Sequence, residues 1–259
     1  ALTKRFQAGQ AAHGAVLATF LAKEGFTGAE NVFAGTYGFF PMYQPDGYDL
    51  SLIDAGLGQE YLGDRISLKP YPCGRPTHSY IDAAVKLHHK LDLSTNTLES
   101  VTVRTDPETY TSRYSVSSGV VRPQQQVEAQ FSLPYLIGCA LVLGGVGIDQ
   151  INAFDHSAVL AASDLVEAES KHGAPKGWAE IEVVCASGDS ATMELQPPSA
   201  SPDNPLSTER LKDKFRDCAV HALRPPPTSS VEKMIELILD SDAMGDSRDL
   251  IIMSASTEN

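Results

Sequence analysis

At 259 residues with 42% apolar side chains, the chain can form one large or two modest domains of ordinary soluble composition. Its net charge of −13 argues against a nucleic-acid or anionic-membrane partner. Cys73, Cys139, Cys185 and Cys218 are far apart and show no CxxC or Cys/His ligand spacing, which argues against zinc and iron–sulfur sites and for mostly buried, reduced thiols in an intracellular protein.

The chain starts at Ala1 and enters a helix almost at once, which suggests a processed, split or truncated chain. No signal peptide is visible. Residues 1–25 carry small side chains (Ala8, Ala11, Ala12, Ala15, Ala18) beside Val16, Leu17, Phe20 and Leu21 at helical spacing. The pattern predicts a buried helix with Lys4 and Arg5 at its N-terminal end and Gly25 as its stop. Thr27–Phe33 reads as a short second helix closed by Gly35. Tyr37 to Tyr43 reads as an aromatic loop, and 48–58 as turn-rich.

Asp64 to Leu68 is expected to be extended. It leads into Lys69-Pro-Tyr-Pro-Cys-Gly-Arg-Pro-Thr-His78, an irregular loop fixed by three prolines and a glycine. Thr77 is placed to cap a helix over 77–91, so His78 falls in a first turn, where positive partial charge gathers. Lys69, Arg75 and His78 are or can be cationic. Locally the loop reads as a stiff connector with solvated charges; the alternative is a carboxylate-binding corner. A functional Cys73 thiol is open on the same terms.

Leu98–Thr105 alternates with period two and is predicted as a strand. The segment 106–126, with Tyr110, Arg113 and Tyr114, reads as irregular. The uncharged window 131–148 is broken by Pro134 and by Gly144, Gly145 and Gly147, so 127–143 reads as a buried core helix and not a membrane span. A helix over 157–167 follows, then a hairpin of 178–186 and 191–195 across Ser187-Gly188-Asp189. Pro197 to Pro205 reads as a linker. Helices over 207–222 and 230–239 precede a polar tail. The order implies an α/β module between two helical flanks.

Several blocks of residues resemble the MmgE/PrpD family. They are Thr3-Lys-Arg-Phe-Gln-Ala-Gly-Gln-Ala-Ala12, Leu21-Ala-Lys-Glu-Gly-Phe-Thr-Gly28, Gly38-Phe-Phe40, Lys69-Pro-Tyr-Pro-Cys73 with Thr77-His78 and Ile81-Asp-Ala-Ala84, Glu128 to Tyr135, and Pro205 to Phe215. The family includes 2-methylcitrate dehydratase, cis-aconitate decarboxylase and iminodisuccinate epimerase. The resemblance implies an α+β fold: an all-helical domain, incomplete here, with an inserted smaller α/β lid domain and the site between them. It divides the chain into a first helical segment over 1–68, the lid over 69–202 and a returning helical segment over 203–259. Family members carry a long N-terminal helical region before the Lys4 block.

By resemblance, Lys4 matches a lysine that points into the site, His78 the lid histidine and Tyr110 an active-site tyrosine. Arg75, Lys69 and Arg5 are assigned to substrate binding, and Cys73 drops to a structural role. The implied activity is a metal-independent lyase acting on a citrate-like di- or tricarboxylate, most simply by dehydration, without a cofactor. Decarboxylation or epimerisation is the alternative; a non-catalytic subunit is an alternative of another class. The implied partners are the small carboxylate, a second copy in a homodimer, and a second chain supplying the N-terminal helical region. The implied location is the cytoplasm or the mitochondrion.

Overall fold

A computed structural model describes residues 3–111, 121–240, 242 and 244–254; the side chains of Arg5, Asp54 and Asp64 lie outside that description. Arg113 and Tyr114, read above as part of an irregular segment, also fall outside it. The chain divides into two units, 1–63 and 64–259.

The first unit is built on α1 (Thr3–Lys23), with two short helices, α2 (Phe39–Tyr43) and α3 (Ser51–Asp54). Gly25, at φ +87°, ends the α1 turn in the left-handed region that favours glycine. Three expectations fail here. Thr27–Phe33 forms turns, not a helix, while part of the aromatic loop is helical as α2. Every described side chain of α1 is exposed, Phe6 and Phe20 included. Small residues give a helix a surface that can be approached closely; they do not supply the partner.

The second unit contains the main core. After a 3-10 turn at Leu62–Arg65 and another at Arg75–Thr77, α4 runs over His78–Lys90. Next come β1 (Leu98–Thr105) and α5 (Pro107–Thr109). Then follow α6 (Gln126–Ala129), α7 (Leu133–Leu143), α8 (Ile148–Ile151) and α9 (Ser157–Asp164). Three further strands are β2 (Val166–Ser170), β3 (Ala179–Cys185) and β4 (Ser190–Glu194). The chain returns to helices in α10 (Thr208–Val220), α11 (Thr228–Leu239) and α12 (Arg248–Ser254). Among the described residues no helix is long and apolar enough to cross a membrane.

The sheet order is β2-β1-β3-β4, with β1 parallel to β2 and antiparallel to β3. Period-two alternation sends Val101, Val103, Ile181 and Val183 into one core with Ile81 and Leu87 of α4 and Leu136 and Ile137 of α7. The opposite face is polar. There Arg104 bonds Glu169 at 3.1 Å, Glu180 at 3.3 Å and Glu182 at 2.6 Å. Glu169 and Glu180 are its direct cross-strand partners.

The helix expected over 127–143 is two helices. Ser132 caps α7 by accepting from the Tyr135 N–H at 3.2 Å, and Pro134 lies at its start, so the chain breaks between α6 and α7. The helix expected over 157–167 stops at Asp164, and its last residues enter the edge strand β2. The segment 197–205 is not a free linker. Ser199 is bound to Asp82, Ala200 is buried, Leu68 N donates to Ala200 O at 2.8 Å, and Ser201 bridges Asn204.

Candidate functional site

The site is the loop 69–77 and the first turn of α4. Prolines 70, 72 and 76 remove three backbone donors and fix φ, so the loop relies on side chains and on its neighbours for its bonds. Gly74 N donates to Gln130 O at 3.0 Å, at the break after α6, and a Cβ on Gly74 would meet the Phe131 ring at 3.4 Å. Lys69 Nζ donates to Cys73 O at 3.2 Å, closing the loop on itself. The Thr77 hydroxyl does not cap α4. It is buried and donates to Gly74 O at 2.8 Å, because the 3-10 turn that precedes α4 brings that carbonyl within reach. Cys73 Sγ lies 3.3 Å from the Thr77 hydroxyl. Burial pushes the Cys73 thiol up to about 11, outweighing Thr77 and Lys69, which makes it an inert thiol at neutral pH.

His78 begins α4 and is fully buried. Neither ring nitrogen has a hydrogen-bond partner. Burial, and then the Arg75 and Lys69 charges, push its pKa down to about 4 against the opposing pulls of the Cys73 carbonyl and Asp82. Nη1 and Nη2 of Arg75 are also buried without a partner. A neutral imidazole and the two terminal nitrogens of a cationic guanidinium, three residues apart in sequence, are therefore buried with bonding capacity unused.

Three residues that sequence reasoning missed hold this corner in place. The Tyr71 ring packs edge-on to His78 with centroids 5.2 Å apart, and its hydroxyl donates to Asp82 Oδ1 at 2.6 Å. Asp82 also accepts from Ser199 N at 2.7 Å and Ser199 Oγ at 2.9 Å. Burial, and then Asp82, push the Tyr71 phenol up, while Arg210 of α10 pulls it down. Asp82 lies four residues after His78, on the same helix face, and that spacing was a readable signal. Arg210 had none, because its approach depends on how α10 packs.

Of the residues assigned from the sequence, Lys69, Arg75 and His78 are brought together. Tyr110 stands beyond β1, half-buried, on the turn whose Asp106 side chain caps Glu108 N and Thr109 N. Lys4 lies exposed on α1 in the first unit, and the Arg5 side chain is outside the described residues. Among the described residues no group of three or more His, Cys, Asp or Glu side chains is arranged to hold a metal ion.

By fold this is an α+β protein in which, among the described residues, buried unpaired nitrogens of Arg75 and His78 lie at the start of one helix. The chain belongs to the MmgE/PrpD family: the family model described as MmgE/PrpD C-terminal domain matches residues 71–240. A curated relative, the cis-aconitate decarboxylase-like protein oryM of Aspergillus oryzae (strain ATCC 42149 / RIB 40), is 24% identical over 266 residues. The match covers 93% of this chain and 53% of that protein, so the chain spans about half the length of the curated relative it matches.

Proposed function

We propose that the chain supplies one wall of a metal-independent lyase site for a citrate-like di- or tricarboxylate, and that the reaction is dehydration to an enoate. One observation supports this above the rest: Nη1 and Nη2 of Arg75 and both ring nitrogens of His78 are buried without hydrogen-bond partners. Leaving such groups unpaired is costly, and a substrate carboxylate would supply both acceptor and counter-charge to Arg75 in a bidentate fork. His78, with its pKa near 4, is unprotonated at neutral pH and acts as the base. It takes the proton from the carbon next to a carboxylate. The electron pair left behind spreads into that carboxylate as an ene-diolate, which Arg75 and Lys69 stabilise. The pair then forms the carbon–carbon double bond as hydroxide leaves, protonated to water by a donor. Lys4 and Tyr110 are the donors the family resemblance assigns. In this scheme 69–202 acts as a lid over a helical domain, and the active form is a homodimer.

A second reading is decarboxylation, favoured by the name of the relative, a cis-aconitate decarboxylase-like protein. There the bond to a carboxylate breaks, carbon dioxide leaves, and the same cations hold the resulting charge until the carbon is protonated.

The test is to incubate the chain, alone and with a chain equivalent to the other half of that relative, with 2-methylcitrate and with cis-aconitate. Enoate absorbance from the first supports dehydration, with a loss of about 100-fold or more in His78→Ala. Carbon dioxide from the second moves the reading to decarboxylation, and solvent deuterium uptake without net conversion to epimerisation. Tricarboxylate binding without turnover in every pairing favours a non-catalytic subunit. Absence of both binding and turnover overturns the site.

A further inference from the structure

Helix α10 is the first helix after the chain leaves the α/β layer. Among the described residues none of its side chains joins the core of that layer; Phe215 and Ala219 pack instead against Val231, Met234 and Ile235 of α11. Polar groups near its two ends tie it to the layer. At the start, Arg210 acts on the Tyr71 hydroxyl. At the end, His221 meets Asp149 of α8, Nε2 to Oδ1 at 2.8 Å. A Cβ on Gly147 would lie 3.8 Å from Asp217 Oδ2, so the end of α10 abuts the start of α8.

The His221 ring has an acceptor on each nitrogen. Nδ1 lies 2.7 Å from the Asp217 carbonyl oxygen and 3.3 Å from Asp217 Oδ1, while Nε2 faces the Asp149 carboxylate. A carbonyl and an ionised carboxylate can only accept. Both nitrogens must carry a proton for both bonds to form, so the arrangement fits an imidazolium and not a neutral ring. The charged groups acting on the ring are acids from both elements, Asp149 from α8 and Asp217 from α10. The bond to the Asp217 carbonyl, and then Asp149, hold the His221 pKa above the ordinary 6.5 against burial. The C-terminal end of α10 favours a cation as well.

When the proton leaves, one of the two bonds is lost. The bond to the Asp217 carbonyl is local, four residues apart, and partly buried; the contact with Asp149 is exposed. The neutral ring therefore keeps Nδ1–H on Asp217 and turns a bare Nε2 lone pair toward the Asp149 carboxylate.

We infer that His221 and Asp149 form a proton-dependent latch that holds the end of α10 on the α/β layer, closed while the imidazole is charged and released when it is neutral. Its stabilisation is complete below pH 6.5 and is lost as pH rises through the folded pKa. Arg210 sits on the same helix, roughly 16 Å away at about 1.5 Å per residue. Release loosens the seat from which Arg210 reaches Tyr71, whose ring stands against His78. The latch stands on its own geometry; its bearing on catalysis rests on the role proposed for His78.

The experiment uses the full chain with isotope-labelled histidine and tyrosine. Imidazole nitrogen NMR is expected to show His221 doubly protonated at about pH 5.5, with a midpoint above 6.5 and a neutral form protonated at Nδ1. Asp149→Ala, at a side chain 80% exposed and so harmless to folding, should lower that midpoint. A double-mutant cycle of His221→Ala and Asp149→Ala in urea unfolding should give a coupling of about two- to fivefold in the unfolding constant at about pH 5.5, the range of a partly solvated ion pair, and none at about pH 9. His78 is present in all four chains, so the cycle cancels its titration. The Tyr71 ring carbon resonances should shift with the His221 midpoint in the wild type and not in Asp149→Ala.

A neutral ring protonated at Nε2 would keep the α8 contact, and it overturns the latch. So does a coupling that is equal at both pH values or absent at the lower one. A Tyr71 signal indifferent to the His221 titration overturns the link from the latch to the site. Failure of 2-methylcitrate turnover touches none of these readouts.

Discussion

The Tyr71 ring stands edge-on to the His78 imidazole while its hydroxyl is held by Asp82, so a residue of the loop and a residue of the helix it feeds are locked by a third. Asp82 accepts three bonds, one from Tyr71 and two from Ser199. Tyr71→Phe removes one donor and leaves the carboxylate satisfied by Ser199. It is expected to cost about 1 kcal/mol in urea unfolding. Asp82→Ala strands three donors and should cost about 3 kcal/mol or more. Equal losses in the two variants would show that the carboxylate is not the hub.

His78 gives the fold an acid-sensitive component with a definite sign. Its folded pKa, near 4, lies below the ordinary value of 6.5. As pH falls from 6.5 to 4 the unfolded chain takes up a proton that the folded chain refuses, so stability falls over that window. The difference corresponds to roughly 3 kcal/mol at about 1.4 kcal/mol per pH unit. His78→Gln should flatten the fall by an amount of that order, measured as urea unfolding free energy at pH 7 and pH 4. An imidazole NMR titration of labelled His78 with a midpoint near 6.5 would refute it.

Gly138 marks where α7 and α9 touch. A Cβ there would sit 2.6 Å from Ser163 Oγ and 2.9 Å from the Val159 carbonyl. The serine can turn away; the backbone oxygen cannot without moving α9. Gly138→Ala is expected to destabilise by about 1–3 kcal/mol despite alanine's better helix propensity. A gain in thermal midpoint would contradict this.

Arg104 is the counter-charge for Glu169, Glu180 and Glu182 on the polar sheet face. Arg104→Met keeps the aliphatic stem and leaves three carboxylates facing one another. Because the group is partly solvated, the expected loss is about 1 kcal/mol at low salt. It should shrink in molar salt, where charges separated by more than about 3 Å are screened. A loss that is the same at both salt concentrations would assign the role to packing.

The sheet was legible where one face is buried and the other wet. Leu98–Thr105 shows that alternation, and the hairpin turns at Gly188, whose φ of +90° needs a glycine. Strand β2 was not legible. Val166-Glu-Ala-Glu-Ser170 is polar, lies at the sheet edge and follows a helix, so local pattern extended the helix into its first two residues. The break between α6 and α7 was signalled by Ser132 and Pro134, but the apolar run around them masked it. At the site, the cationic residues of the loop could be read from the sequence. The buried, unpaired nitrogens of Arg75 and His78 could not, since they depend on how the loop packs against the rest of the fold.

The bond from Leu68 N to the Ala200 carbonyl has a topological consequence. The segment where the chain enters the α/β layer and the turn where it leaves lie side by side, and Asp82 staples the exit to the layer's own first helix. A segment whose two ends meet in this way can be grafted into a host chain, or cut from it and its ends rejoined, with little disturbance to either part. The whole α/β layer is built like a cassette whose two ends are pinned together by one backbone bond.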